Sequence, residues 1–298
     1  MTDQDILKGF KSSLFKKGKT KSTAESYTND AKGYLDYLET YKIALNDSQT
    51  DLIRHYSDFL YEKYGKINSV RRSIIGVRQF FRYLSENGFS QYSQGDTMII
   101  PGRDESIATP LQDDDFRFLI IHTTGSDNSL KGLRDSAILC LLALEGLKVS
   151  EVTGLKWSDF LPYEGLASLR ITGTKGRIIQ LNRESSDLIL EYQSVFKKVL
   201  HSTPDPSEFT QMIIGFSGRD RLVPASGVSR HGIKFLLSEL APIIRRKKLS
   251  TEMLRHYAIT HHLKAGKSTE EIMQHLGLKR PGNIGKHLRA NLSKPVSP

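Results

Sequence analysis

Lysine and arginine are the residues whose number and placement in this chain could do chemistry. The formal net charge is +10 over 298 residues. Residues 245–298 hold 12 Lys+Arg against 3 Asp+Glu, a surplus of +9. Residues 1–103 hold 16 against 12, and residues 104–244 hold 15 against 18. Cations concentrated in this way gain affinity for a polyanion by releasing its condensed counterions. The alternative is a solubilising tail, but the charges fall among apolar-periodic sequence, which favours nucleic acid as the partner. A second set is Arg71, Arg78 and Arg82. Their i, i+7, i+11 spacing stacks them on one helix face, where they could meet a phosphate backbone. The histidines at 256, 261 and 262 lie close together. No second cluster completes a metal-ligand set for them, so they read as core or surface groups, and neither metal nor cofactor is expected.

These side chains need elements to hold them. A helix beginning near Ser22 carries Tyr27, Ala31, Tyr34, Leu35 and Leu38. Further helices are predicted over about 50–64, ending at Gly65, and 69–87, ending at Gly88. In the latter, Val70, Ile74, Val77, Phe81 and Leu84 form one apolar face beside the arginine stripe. Residues 91–110 contain Gly95, Pro101, Gly102 and Pro110 with little periodicity. Within them, 98–108 reads as a linker between a helical domain, 1–97, and a second domain, 109–298. Gln112-Asp113-Asp114-Asp115 starts a helix whose positive end the carboxylates suit. An apolar helix covers 134–145 and stops at Gly146. Runs 167–171 and 177–181 flank Thr172-Gly173-Thr174-Lys175-Gly176 as a hairpin. Helices resume near Ser185, Ser229 and Thr251. The predicted class is mostly α with a small β-sheet, in two domains.

Composition narrows the functional classes. Hydrophobic residues at 38% and charged residues at 26% predict a soluble globular chain rather than disorder. The longest apolar run, Ala137 to Leu144, is too short to cross a bilayer. The N-terminus lacks the pattern of a signal peptide. Cys140 is the only cysteine and lies in an apolar run, so it reads as core. A cytoplasmic chain without a membrane role is expected.

Three segments carry a family resemblance. The stretch Met253-Leu254-Arg255-His256-Tyr257-Ala258-Ile259-Thr260-His261-His262-Leu263-Lys264-Ala265-Gly266 resembles the signature helix of tyrosine recombinases, the phage integrases and Xer proteins. The following Ile272-Met273-Gln274-His275-Leu276-Gly277-Leu278 is similar to its continuation, and Leu144-Glu145-Gly146-Leu147-Lys148-Val149-Ser150-Glu151-Val152 to the family's first box. The resemblance implies a helical core-binding domain and a mixed α/β catalytic-like domain that form a C-shaped clamp on duplex DNA. It also implies roles for six positions. Arg255 matches a retained phosphate-clamping arginine. Lys148 stands at the other clamp arginine, keeping the charge and losing the bidentate fork. Lys175 matches the lysine that protonates the leaving oxygen. Glu252 replaces a histidine, and Leu278 replaces a histidine or tryptophan, giving up a hydrogen bond to phosphate. The nucleophilic tyrosine's position, nine residues further on, is His287, and no tyrosine follows Tyr257.

Four changed positions of six predict a catalytically inactive, sequence-specific DNA-binding protein without enzyme activity, most simply a transcriptional repressor or regulator of a phage or mobile element. The alternatives are a diverged active site-specific recombinase and an accessory or replication factor. The expected DNA contacts are Arg71, Arg78, Arg82, Lys148, Lys175, Arg177, Arg255, Lys279 and Arg280. The expected partners are double-stranded DNA and a second copy through the C-terminal segment.

Overall fold

The computed structural model describes residues 2–45, 50–89, 98–103, 111–125, 128–163, 166–173, 176–201, 209–216, 222–278 and 284–285. The chain divides into two compact units, Met1–Ser106 and Ile107–Pro298.

The first unit is built from α1 (Asp3–Lys16), α2 (Lys21–Thr40), α3 (Thr50–Tyr64) and α4 (Ile67–Glu86). The first of these helices was not predicted. Its signals are local: Thr2 and Asp5 form a reciprocal capping box, and Ile6, Phe10 and Leu14 recur every four residues and are buried. Thr20 caps α2 by accepting from the Thr23 amide. The predicted stripe of α4 faces inward as expected, with Val70, Ile74, Val77, Phe81 and Leu84 all buried. The core is aromatic: Tyr34 meets Tyr56 and Phe81 edge-on, and Phe10 meets Phe80. Helices α2 and α4 approach closely at Gly76, where a Cβ would stand 2.5 Å from Asp30 Oδ2. Beside that contact, Arg72 forks the buried Asp30 carboxylate at 2.9 and 2.7 Å, and Ser73 donates to it at 3.2 Å.

The second unit is centred on α6 (Leu130–Ala143), which is buried from Gly132 onward. Burial on every side marks a central helix, with its buried Arg134 and Asp135 paired to each other, and α6 packs against α5 (Asp113–Thr124), α8 (Arg183–Leu200) and α10 (Thr251–Lys264). A three-stranded antiparallel sheet lies in the order β1 (Phe160–Tyr163), β2 (Leu166–Ile171), β3 (Arg177–Gln180). The expected hairpin is its β2–β3 half, with Leu169 opposite Ile179. The strand β1 went unpredicted because it is short, contains Pro162 and buries only Phe160. A second antiparallel pair joins β4 (Ile214–Phe216) to β5 (Leu222–Gly227). Helices α7 (Val149–Val152), α9 (Arg230–Leu240) and α11 (Thr269–Leu276) complete the described unit. Among the described residues no helix is long and apolar enough to cross a membrane.

Candidate nucleic-acid interface

The site grows from the turn that ends α6. Gly146 takes φ +61, a conformation that favours glycine, and an added Cβ would meet Ala258 Cβ and Leu276 Cδ2, each at 3.0 Å. The turn closes with the Leu147 amide donating to the Leu141 carbonyl at 2.9 Å. It delivers Lys148 to the start of α7, where the Glu151 carboxylate accepts from the Lys148 amide at 2.9 Å. The Lys148 ammonium is half exposed and 3.4 Å from Glu151 Oε1.

Two arginines fasten this turn to the end of α11. Arg255 donates from Nη1 to the Gly146 carbonyl at 2.6 Å and from Nη2 to the Leu276 carbonyl at 2.9 Å. Burial pulls its pKa below the ordinary arginine range, Glu151 pulls it up, and Arg177 pushes it down. Two of its five donors are thereby committed. Arg177 is more fully occupied. Its Nη1 and Nη2 fork Glu151 at 3.0 and 3.2 Å, and its Nε donates to the His275 carbonyl at 2.7 Å.

A cavity of about 420 Å³ opens beside this framework. Lys148, Arg255, Glu252 and Arg230 line it, with Leu147, Val149, Ser150 and Thr251. Lys148, Arg230 and Glu252 are exposed, and Arg255 is half-buried. Three cations from three segments thus converge on one hollow. Such a group can hold a tetrahedral oxyanion, with Arg255 supplying directional donors and Lys148 a point charge. Glu252 lies in the first turn of α10, on the same cavity. Two larger cavities, of about 540 and 720 Å³, are lined mainly from α6 and α9 and contain none of the six positions singled out by sequence.

The expected DNA contacts divide in the structure. Lys148 and Arg255 come together. Arg177 is close by, but its guanidinium is taken up by Glu151 and the His275 carbonyl. Leu278 packs against the apolar cluster of Ile259, Ile272, Leu276 and Ile284. Along α4, Arg71 donates to the Pro101 carbonyl, and Arg78 and Arg82 also interact within the chain. Lys175, Lys279, Arg280 and His287 lie outside the described residues. Arg230 was missed by sequence reasoning, since nothing around Ser229-Arg230-His231 signals that the start of α9 reaches a turn eighty residues earlier.

The sequence reading also missed an association of Glu145, His262 and His275. Donor atoms of all three lie within 4.8 Å of one another. His275 Nε2 is 3.0 Å from Glu145 Oε2, and the Asn182 amide donates to Glu145 Oε1 at 3.1 Å. Burial pushes His262 down to about 3, helped by His275 and Lys267, so its ring is neutral near pH 7.

Comparison with known proteins fits this geometry. The profile of the Phage integrase family matches residues 119–289, and that of the phage integrase N-terminal SAM-like domain matches residues 7–88. This chain belongs to the phage integrase family. It is 25% identical over 283 residues to the tyrosine recombinase XerC of Syntrophus aciditrophicus (strain SB), covering 90% of this chain and 89% of that one. It is also 25% identical over 272 residues to XerC of Staphylococcus aureus (strain USA300), covering 89% and 85%. In fold it is similar to a lambda integrase dimer bound to a COC' core site, with a TM-score of 0.68 at 15% identity over 100% of this chain and 80% of that one. Another similar fold is the XerH site-specific recombinase bound to palindromic difH substrate, with a TM-score of 0.67 at 14% identity over 90% and 76%.

These relatives correct the expectation of a protein without enzyme activity. The proteins matched over nine-tenths of the chain are tyrosine recombinases, which are enzymes. The expectation rested on four changed positions, Lys148, Glu252, Leu278 and His287, the last placed by counting nine residues from Leu278.

Proposed function

We propose that this chain is a site-specific duplex-DNA-binding protein of DNA recombination that seats one backbone phosphate in the cavity between Lys148, Arg230 and Arg255. The observation that carries the reading is the convergence of those three cations where the family's clamp positions fall. The named activity of the XerC relatives and the DNA-bound state of the lambda integrase and XerH structures support duplex DNA as the partner. Arg177 acts as a positioning residue, holding Glu151 and the end of α11. Arg71, Arg78, Arg82, Lys175, Lys279 and Arg280 add backbone contacts along the duplex. The protein works in the cytoplasm, and a second copy engages it through the C-terminal segment.

The experiment is selection of a binding site from random duplexes, followed by affinity measurement. Arg230→Ala is the cleanest variant, because Arg230 is exposed at the first turn of α9. A charge-assisted phosphate contact is worth ~1.5–3 kcal/mol, so affinity should fall by about 10- to 150-fold with the melting temperature unchanged. Unaltered affinity would remove Arg230 from the interface. Arg255→Ala should weaken binding too, but with some loss of stability, since it frees the Gly146 and Leu276 carbonyls.

A second reading, resting on the same convergence of cations, is that occupancy of the site regulates a nearby promoter of a phage or mobile element. Genome-wide footprinting separates the two. Regulation requires bound sites to overlap promoters whose output changes on deletion of the protein, whereas sites away from promoters leave only the first reading.

A further inference from the structure

We propose that Glu145, His262 and His275 form a binding site for one divalent transition metal ion of the Zn²⁺ class. Two imidazoles and a carboxylate are the ligand types that Zn²⁺ takes, and they do not suit the all-oxygen preference of Mg²⁺ or Ca²⁺. The three donors come from three segments: the turn after α6, the last turn of α10 and the last turn of α11.

Their geometry is close to what an ion requires. In a tetrahedral Zn²⁺ site with bonds of ~2.0–2.1 Å, neighbouring ligand atoms stand about 3.3 Å apart. The His275 Nε2 to Glu145 Oε2 distance of 3.0 Å is near that edge, and the full set lies within 4.8 Å. Closing the third side takes a side-chain shift of about an ångström or more, within reach of rotamer adjustment.

An independent observation points into the same place. His262 Nε2 is buried without a hydrogen-bond partner, on a residue only 2% exposed. A buried polar atom without a protein partner calls for an explanation, and a bound ion is one. The carboxylate is already oriented, because the Asn182 amide holds Glu145 Oε1 and leaves Oε2 to face the histidines. Such outer contacts fix ligand orientation in metal sites.

The ion would join the segments that Arg255 already ties through the Gly146 and Leu276 carbonyls. It would therefore brace the turn that presents Lys148. The competing account is a metal-free clasp, in which Glu145 and His275 pair and His262 is ordinary packing.

The test uses the untagged full chain, stripped with chelator and dialysed. Zn²⁺ is titrated calorimetrically, and Co²⁺ is followed by visible absorption. The expected result is one tight site per chain, a rise in melting temperature with Zn²⁺, and the strong bands of tetrahedral Co²⁺. His262→Leu keeps the Glu145–His275 pair and should weaken Zn²⁺ binding by about a hundredfold or more, a loss at the upper end of that caused by outer-contact changes. Glu145→Gln provides a second variant of similar shape should His262→Leu fail to fold, and should weaken binding likewise. No Zn²⁺ bound by the wild type, or equal affinity in the wild type and the folded variants, overturns the proposal. Neither outcome bears on the phosphate cavity, which has its own test.

Discussion

Arg177→Met should destabilise the protein by about 3–5 kcal/mol, the range for removing one partner of a buried ion pair. Arg177 and Glu151 have side chains only 9% and 11% exposed, so water cannot replace the missing guanidinium. The variant leaves the Glu151 carboxylate with only the Lys148 amide and its half-exposed ammonium as partners, and leaves the His275 carbonyl without its donor. Burial alone would push the Glu151 carboxyl up, and the fork from Arg177, with the Lys148 amide, brings it below its ordinary value. Without Arg177, Glu151 should titrate above its unfolded value, so the variant should lose further stability as pH rises toward neutrality. Urea unfolding at several pH values reads both effects. Arg177→Met combined with Glu151→Gln should recover part of the loss, because no buried charge is left unpaired. A cost below about 1 kcal/mol, the scale of an exposed pair, would show that water reaches the pair and that it does not hold the α7 turn.

The second large effect is a dependence of stability on pH centred on Asp30. Burial pushes its carboxyl from 3.8 to about 6, with Arg72 and Ser73 pulling against that shift. The folded state therefore holds a proton that the unfolded state releases between these values. This contribution is fully present below about pH 4 and is lost as pH rises through 6. That difference corresponds to about 3 kcal/mol between acidic and neutral pH. Asp30→Asn keeps an oxygen acceptor for Arg72 and Ser73 but does not titrate. The expected outcome is that the difference in unfolding free energy between wild type and variant changes by that amount across the window, in favour of the wild type at the acid end. A difference that is flat with pH would mean that Arg72 keeps the carboxylate ionised throughout.

Local pattern made much of the fold legible. The stripe from Val70 to Leu84, the stop at Gly146 and the β2–β3 hairpin all follow from spacing and turn chemistry. Helix α1 was equally open to that reading, through Thr2, Asp5, Ile6, Phe10 and Leu14. The strand β1 was not, since its register depends on a partner and not on its own residues. The site was only half visible for a similar reason. A sequence shows where a cation is, but not which anion or carbonyl has claimed it. Arg177 looks like a phosphate contact until Glu151 appears beside it, and Arg71 already gives one of its donors to the Pro101 carbonyl. Arg72, next to Arg71 in sequence, pairs with Asp30 42 positions away. Glu145 and His275 stand 130 positions apart, and no periodicity links them.

Neutralising one phosphate at a time in the selected duplex, by methylphosphonate substitution, tests the phosphate seat most directly. At one position per bound chain the wild type should lose about 10-fold or more in affinity, and Arg230→Ala, already weakened, should lose little further. That non-additivity is the signature of a shared contact. Equal losses for wild type and Arg230→Ala at every phosphate would contradict the account, because no phosphate would then depend on the cavity between Lys148, Arg230 and Arg255.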